Sequence, residues 1–260
     1  MGLRFYKYQG TGNDFVLLDH REDGDRMLPP ERIQGLCDRH FGVGGDGVIL
    51  LLPDPEWDMY MRFYNPDGSK SFCGNGSRCA IKAFFELRSE EGAEGRLRFG
   101  AIDGVHEGEL LGDGRVEVSI GDVERVLDRE DHSFVDTGSP HVILPRERID
   151  PIDIEEEAAW VRERSAYYRE GTNVDLVHAP EKGYVHIRTH ERGVEAETLS
   201  CGSGVTAAAL WAAKKGWAED RCMVSTAGGE LEVRFNPSPE AFRDIRLIGP
   251  AEKVFSGWTP

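Results

Sequence analysis

The chain has 260 residues and a mass of 29.0 kDa; 39% of its residues are hydrophobic, and 31 Lys and Arg against 47 Asp and Glu leave a formal net charge of −16. That length suits one large core or two domains of about 100–150 residues each. The charge argues against nucleic acid as a partner, because Lys and Arg must neutralise the phosphate backbone, and no apolar run approaches the ~20 residues that cross a bilayer, so no membrane partner is expected.

The start, Met1 to Lys7, runs straight into strand-like alternation rather than a signal peptide, and Tyr6 stands where a myristoylation signal needs Ser or Thr. Five cysteines with no Cys-x-x-Cys pair predict free thiols, a reducing cytoplasm and no structural zinc site. Cys37, Cys79 and Cys222 fall in apolar stretches and read as small buried hydrophobes.

In chain order, a strand over Leu3–Tyr8 meets a Gly10–Asp14 turn and a second strand, Phe15–Asp19. A helix is predicted from Pro30 to His40, with Pro in its first turn and Gly42 past its end. The Gly-rich loop 42–47 leads into a buried strand, Val48–Leu52, rather than into a helix, so neither a dinucleotide fingerprint nor a P-loop fits. Met59–Tyr64 alternates as a strand, Asn65–Ser71 turns, and Cys73-Gly74-Asn75-Gly76 opens a helix expected to reach about Ser89. A charged link over Glu90–Gly95 precedes strands at Leu97–Ile102, Val105–Leu111 and Val116–Ile120. The charged stretch Gly121–His132 lacks a sheet period and is the candidate linker. The expected halves are 1–121, with 250–260 returning to it, and 122–249.

The second half repeats the order of the first. Phe134–Asp136, the Gly138–His141 loop and Val142–Leu144 precede an acidic helix from Asp153 to about Tyr167. The loop 171–173 leads to strands Val174–His178 and Val185–His190, and Cys201-Gly202-Ser203-Gly204 opens a second helix. The last strands expected are Cys222–Thr226, Gly229–Phe235 and Arg243–Ile248. Three loops recur in the same order, with offsets of 126 (Gly12 to Gly138), 128 (Gly45 to Asn173) and 128 (Cys73 to Cys201). A period near half the length marks two copies of one domain rather than a solenoid. Ala207–Ala213 is apolar around nearly its whole circumference, which marks a helix buried on all sides with sheet around it. The expected fold class is therefore α+β, with two pseudo-symmetric duplicated domains, each a mostly antiparallel sheet wrapped around a central helix.

A Cys just before a helix has its thiolate favoured by the unpaired amides and the dipole of the first turn. The amides of Gly74, Asn75, Gly202 and Ser203 are candidates to cradle a carboxylate, with Gly allowing close approach. Two thiols on opposite sides of a carboxylate-bearing carbon suit one reaction class: one removes the α-proton as thiolate and the other returns a proton as thiol, with no cofactor. Taken alone, a cysteine placed before a helix, such as Cys201, is more often a packed thiol; the repeat is what raises the catalytic reading.

The stretches Gly10–Phe15, Asn65–Ser69, Cys73–Cys79, Gly138–His141, Glu191–Gly193 and Glu197–Gly204 together closely resemble the diaminopimelate epimerase family across essentially the whole chain. The resemblance implies interconversion of LL- and meso-diaminopimelate in lysine and cell-wall precursor synthesis, without pyridoxal phosphate or metal, in a homodimer. It implies that Cys73 and Cys201 exchange the roles of base and acid. It further implies that Asn13, Asn65, Asn173, Glu191 and Arg192 bind substrate, Arg192 suiting a carboxylate and Glu191 an ammonium group, and that His141, with Glu191, supports catalysis. Two positions depart from the family pattern: Gly47 where some members carry Gln, and Ser139 where many carry Asn. Three other readings stand beside this one. Proline racemase or hydroxyproline epimerase shares the two-thiol plan, a phenazine-biosynthesis-type isomerase shares the duplication without both cysteines, and a redox-sensing dithiol binding protein would form a disulfide without turnover.

Overall fold

The computed structural model describes residues 2–22, 24, 27–87, 95–164, 171–238 and 241–259. The charged link expected at 90–95 and the last residues expected for two helices, Arg88–Ser89 and 165–167, lie mostly outside the described residues. The chain divides into two compact units, one of residues 1–119 with 249–260 and one of residues 120–248. Among the described residues, no helix is long and apolar enough to cross a membrane.

In the first unit, β1 (Arg4–Gly10) and β2 (Asn13–Asp19) form an antiparallel hairpin with Gly10 opposite Asn13. Only Thr11 and Gly12 are left for the turn, both at positive φ (50° and 84°), as the right-handed twist of a two-residue hairpin requires. β3 (Gly47–Leu52) lies parallel to β2, and α1 (Pro30–Cys37) stands in the crossover between them. All six residues of β3 are buried, which fits a strand covered on both faces and explains its unbroken apolar run. β4 (Met59–Tyr64) is antiparallel to β3; α2 (Gly74–Glu86) carries the chain over to β5 (Gly95–Ala101), parallel to β4. β6 (Gly104–Leu110) and β7 (Val116–Ile120) extend the sheet antiparallel, and the last strand of the chain, β17 (Glu252–Trp258), pairs with the outer side of β1. α2 touches β1, β2, β3, β4, β6 and β17, so the sheet curls around it.

The second unit uses the same plan. β8 (Val126–Asp128) and β9 (Ser133–Asp136) lead to β10 (Pro140–Pro145), and α3 (Ile154–Arg164) stands in the parallel crossover to β11 (Asn173–Glu181). Asp153 caps α3 by accepting from the Glu155 and Glu156 amides at 3.0 and 3.3 Å. β12 (Tyr184–Glu191) and the short β13 (Ala196–Thr198) precede α4 (Gly202–Lys214). α4 crosses to β14 (Arg221–Thr226), which runs parallel to β12 and continues antiparallel into β15 (Gly229–Pro237) and β16 (Phe242–Gly249). α4 packs against strands from β8 to β15, and Val205 to Leu210 are fully buried along it.

Four expectations are corrected. α1 ends at Cys37 rather than His40, because Asp38 leaves helical geometry (ψ 123°) and its carboxylate accepts from the His40 and Phe41 amides at 2.7 and 2.8 Å. The stretch expected as a linker contains β8, and Val123 bridges to Phe242; short pairing of this kind leaves no period to read. β13 and β17 carry too few alternating apolar residues to announce themselves. The sheet registers pair Phe15 with Gly47 and His141 with Asn173, so Asn173 corresponds to Gly47 and not to Gly45, at an offset of 126.

Candidate active site

Each unit places its Cys-Gly-x-Gly cysteine at the N-cap of its central helix. Cys73 has extended geometry (φ −139°, ψ 109°), and its Sγ accepts from the Gly76 amide at 3.3 Å. The thiol thus fills the place of a Ser or Asp cap while remaining half-buried. Cys201 has φ −112° and ψ 111°, and its Sγ lies beside the Gly204 amide outside hydrogen-bonding geometry. Helix geometry leaves the Gly74, Gly202 and Ser203 amides without intrahelical acceptors.

Around Cys73, the side chains of Asn75, Asn13, Thr11 and Arg78 form one network. Asn75 Nδ2 donates to Asn13 Oδ1 at 3.2 Å, and Arg78 donates to Asn75 Oδ1 at 3.0 Å, Thr11 Oγ1 at 3.3 Å and the Pro250 carbonyl at 3.3 Å. Arg78 is wholly buried, and that burial pulls its guanidinium down to about 10, still charged at neutral pH. Asn13 Nδ2 also donates to Asp46 Oδ2 at 2.8 Å, which links the network to Asp14, Lys7 and Arg39. Asn65 is not tied into it: its carboxamide donates to Ser69 and Ser71 inside its own turn at 3.0 and 3.2 Å. At Gly47, a side chain has no room, since an added Cβ falls 2.4 Å from the Phe63 ring and 2.7 Å from the Tyr64 carbonyl.

Around Cys201, the predicted residues converge more tightly. Sγ lies 3.3 Å from Ser203 Oγ, which lies 2.9 Å from His141 Nε2; His141 Nδ1 lies 2.7 Å from Asp175 Oδ2. Asn173 Nδ2 donates to Ser139 Oγ at 2.9 Å and to the Pro140 carbonyl at 3.0 Å, and approaches His141 Nε2 at 3.3 Å, while Asn173 Oδ1 accepts from the Arg192 amide at 2.9 Å. Ser139 therefore contacts the site residues directly, although it stands where Asn is common in the resembling family. The Glu191 carboxyl accepts from Thr198 Oγ1 at 2.6 Å and adjoins Cys201; burial first, with Asp175 nearby, raises it above the ordinary glutamate range despite those contacts. Arg192 is exposed, and its stem packs over Gly171. Burial, followed by the Glu191 and Asp175 carboxylates, pushes the Cys201 thiol well up.

The strand registers give the two thiols different surroundings within one duplicated plan. Asn65 and Glu191 occupy equivalent ends of β4 and β12, since Tyr64 pairs with Val48 as His190 pairs with Val174. Cys73 and Cys201 are offset by 128 rather than 126, so the second unit has two extra residues between strand and helix, where β13 forms. Sequence reading passed over Arg78, Asp46, Asp175 and Thr189, whose hydroxyl donates to Asp175 Oδ1 at 2.7 Å. Two of these carry a visible signal: Asp175 interrupts an otherwise apolar strand, Val174–Val177, and Arg78 stands alone at the head of an apolar helix. Among the described residues, no cluster of three His, Cys, Asp or Glu side chains is placed to hold a metal ion.

The family model described as Diaminopimelate epimerase matches residues 5–126 and again 133–254, once for each half. The chain belongs to the diaminopimelate epimerase family. It is similar to the diaminopimelate epimerase of Flavobacterium psychrophilum, at 39% identity over 97% of this chain and 98% of that protein. It is similar also to that of Aquifex aeolicus, at 35% identity over 98% and 97%. Membership makes the chain an isomerase of the epimerase class. Among solved structures, a phenazine biosynthesis protein of the PhzF family from Bacillus anthracis shares the fold with a TM-score of 0.74 at 16% identity, covering 99% of both chains. A hydroxyproline epimerase from Agrobacterium vitis does so with 0.71 at 13% identity, covering 98% of this chain and 90% of that one. At such identities, these two share the α+β duplicated architecture, while the relatives at 35–39% carry the family.

Proposed function

We propose that the chain interconverts LL- and meso-diaminopimelate by removing the α-proton from one face of the substrate and returning one to the other, with Cys73 and Cys201 exchanging the roles of base and acid. The observation that carries this reading is that both halves of a diaminopimelate epimerase family chain start their central helix on an N-cap cysteine. The α-hydrogen of an amino acid is a very weak acid, so the developing carbanion needs electrostatic stabilisation, and the two helix starts supply oriented amides for its carboxylate. The raised Cys201 thiol supports a resting state in which Cys201 is the acid; the carboxyl of Glu191 and the imidazole of His141 stand ready to accept its proton when the direction reverses.

In this proposal, Asn13 and Asn173 present carboxamides to the substrate, Asn65 releases its turn to do so, Arg192 takes a carboxylate and Glu191 an ammonium group. The amides of Gly74, Asn75, Gly202 and Ser203 hold the reacting carboxylate. The halves are 1–121 with 250–260 and 122–249; the reaction needs no cofactor, and the enzyme works in the cytoplasm as a homodimer in lysine and cell-wall precursor synthesis.

The test is incubation of LL-diaminopimelate with reduced enzyme in deuterium oxide. α-Deuterium enters as the meso product appears, and Cys73→Ala and Cys201→Ala each lower epimerisation by at least about a thousandfold. Full activity in either variant removes that thiol from the mechanism, and racemisation of L-proline in place of diaminopimelate epimerisation moves the substrate to the proline class.

A further inference from the structure

Asp175 ends an unbroken chain of polar contacts that begins at Cys201. Four side chains run in series, Cys201 Sγ to Ser203 Oγ (3.3 Å), Ser203 Oγ to His141 Nε2 (2.9 Å) and His141 Nδ1 to Asp175 Oδ2 (2.7 Å). His141 and Asp175 are fully buried. A buried carboxylate has to be bonded on both oxygens, and Asp175 is: Thr189 donates its hydroxyl to Oδ1 at 2.7 Å. Gly204, in the first turn of α4, leaves the room for this, since an added Cβ falls 2.9 Å from Asp175 Oδ1, 3.1 Å from Thr189 Oγ1 and 3.3 Å from His141 Cε1.

The imidazole tautomer follows from its neighbours. Asp175 can only accept, so Nδ1 carries the proton and Nε2 is left as an acceptor. Asn173 agrees, because its orientation is fixed by donation to the Pro140 carbonyl and acceptance from the Arg192 amide, which turns its nitrogen and not its oxygen toward Nε2. An acceptor Nε2 orients the Ser203 hydroxyl proton toward His141, and the oxygen lone pair of Ser203 then faces Cys201.

We propose that Asp175 is a positioning residue for proton exchange at Cys201, holding His141 in the Nδ1–H tautomer so that Ser203 relays the thiol proton to the imidazole. In the relay, the Cys201 S–H bond breaks as a proton passes to Ser203 Oγ, while the Ser203 O–H proton passes to His141 Nε2. A neutral thiol and imidazole become a thiolate and an imidazolium; the serine is unchanged, and the Asp175 carboxylate keeps its charge and faces the new cation. Reversal of both transfers restores the thiol. The relay rests on Cys201 acting as an acid and base in the proposed epimerisation, whereas the tautomer rests on the buried contacts alone.

Asp175→Asn separates the two. Thr189 holds the new carboxamide oxygen, so the amide nitrogen faces Nδ1 and the imidazole shifts its proton to Nε2. Nitrogen-15 NMR of labelled histidine is expected to show His141 protonated on Nδ1 in the wild type and on Nε2 in the variant, without any substrate present. Turnover in the variant is expected to fall about tenfold to a hundredfold, with KM within about twofold. Because a buried variant can fail to fold, Ser203→Ala, which keeps the backbone amide, is the second arm: it loses at least about tenfold in kcat, and Ser203→Thr recovers most of that. A wild-type proton on Nε2, or kcat within about twofold of wild type in Asp175→Asn or Ser203→Ala, overturns the relay and leaves the two-thiol reaction standing; full activity of Cys201→Ala overturns that reaction itself.

Discussion

At the scale of single residues, the same side-chain type does different work according to what surrounds it. Asn75 is buried between Asn13 and Arg78, while Asn65 turns back on Ser69 and Ser71, and nothing in the letter N separates the two. Asp14 shows how local charge decides chemistry. Its burial raises the carboxyl, but hydrogen bonds from Arg39 and Lys7 outweigh that and bring it from 3.8 to about 2. A carboxyl depressed on folding contributes stability above its unfolded value and loses it as pH falls through the folded one. The wild-type unfolding free energy read from urea titrations is therefore expected to drop between about pH 4 and about pH 2, by roughly 1–2 kcal/mol after allowance for solvent screening. Asp14→Asn flattens that part of the profile, and an unchanged acid limb in Asp14→Asn would show that the ion cluster contributes nothing. The presence of Asp14 in a hairpin was legible; its partners, up to 32 residues away at Asp46, were not.

At the scale of elements, the two central helices begin alike and are capped differently. The Cys73 thiol accepts from the Gly76 amide, so it serves both as cap and as candidate base. These two roles come apart on substitution. Cys73→Ser keeps a capping oxygen and is expected to be more stable than Cys73→Ala by ~1 kcal/mol in chemical unfolding, while both lose epimerisation. Equal stability of the two variants would show that the contact with Gly76 carries no capping energy. Most helices and strands were legible because their periods and breakers are local: Pro30 at the first position of α1, the apolar run of β3, and the alternation of β4. Where a side chain reached back to compete for backbone amides, as at Asp38, the reading ran three residues too far.

At the scale of the whole molecule, duplication organises everything else. Each unit has two parallel crossovers, the first carrying an outer helix and the second the buried one, and the family model fits once over each half. The first unit is completed from the far end of the sequence. β17 pairs with β1 over six residue positions, Phe255 meets Phe5 edge to face with ring centres 5.9 Å apart, and Thr259 Oγ1 accepts from the Leu3 amide at 2.9 Å and from Arg32 at 2.8 Å. A chain ending after Pro250 is expected to lose on the order of 3 kcal/mol, since each ladder bond contributes ~0.5–1.5 kcal/mol. Limited proteolysis read by mass spectrometry should then cut first within residues 1–119. Preferential cutting within 120–248 would mean that β17 supports the wrong unit.

The sequence by itself determined that the fold is duplicated, which family it belongs to, and where the two candidate thiols stand, because repeats and helix starts are written in residues adjacent along the chain. Tertiary structure decided the register that equates Asn173 with Gly47, the closing of the first unit by β17, and the surroundings of each thiol. The reason is the same in each case: burial and hydrogen bonding are set by residues distant in sequence. Asp175 reaches His141 across neighbouring strands and Ser203 from the helix beyond them, so its carboxylate belongs to the site only once β10, β11 and α4 are packed together.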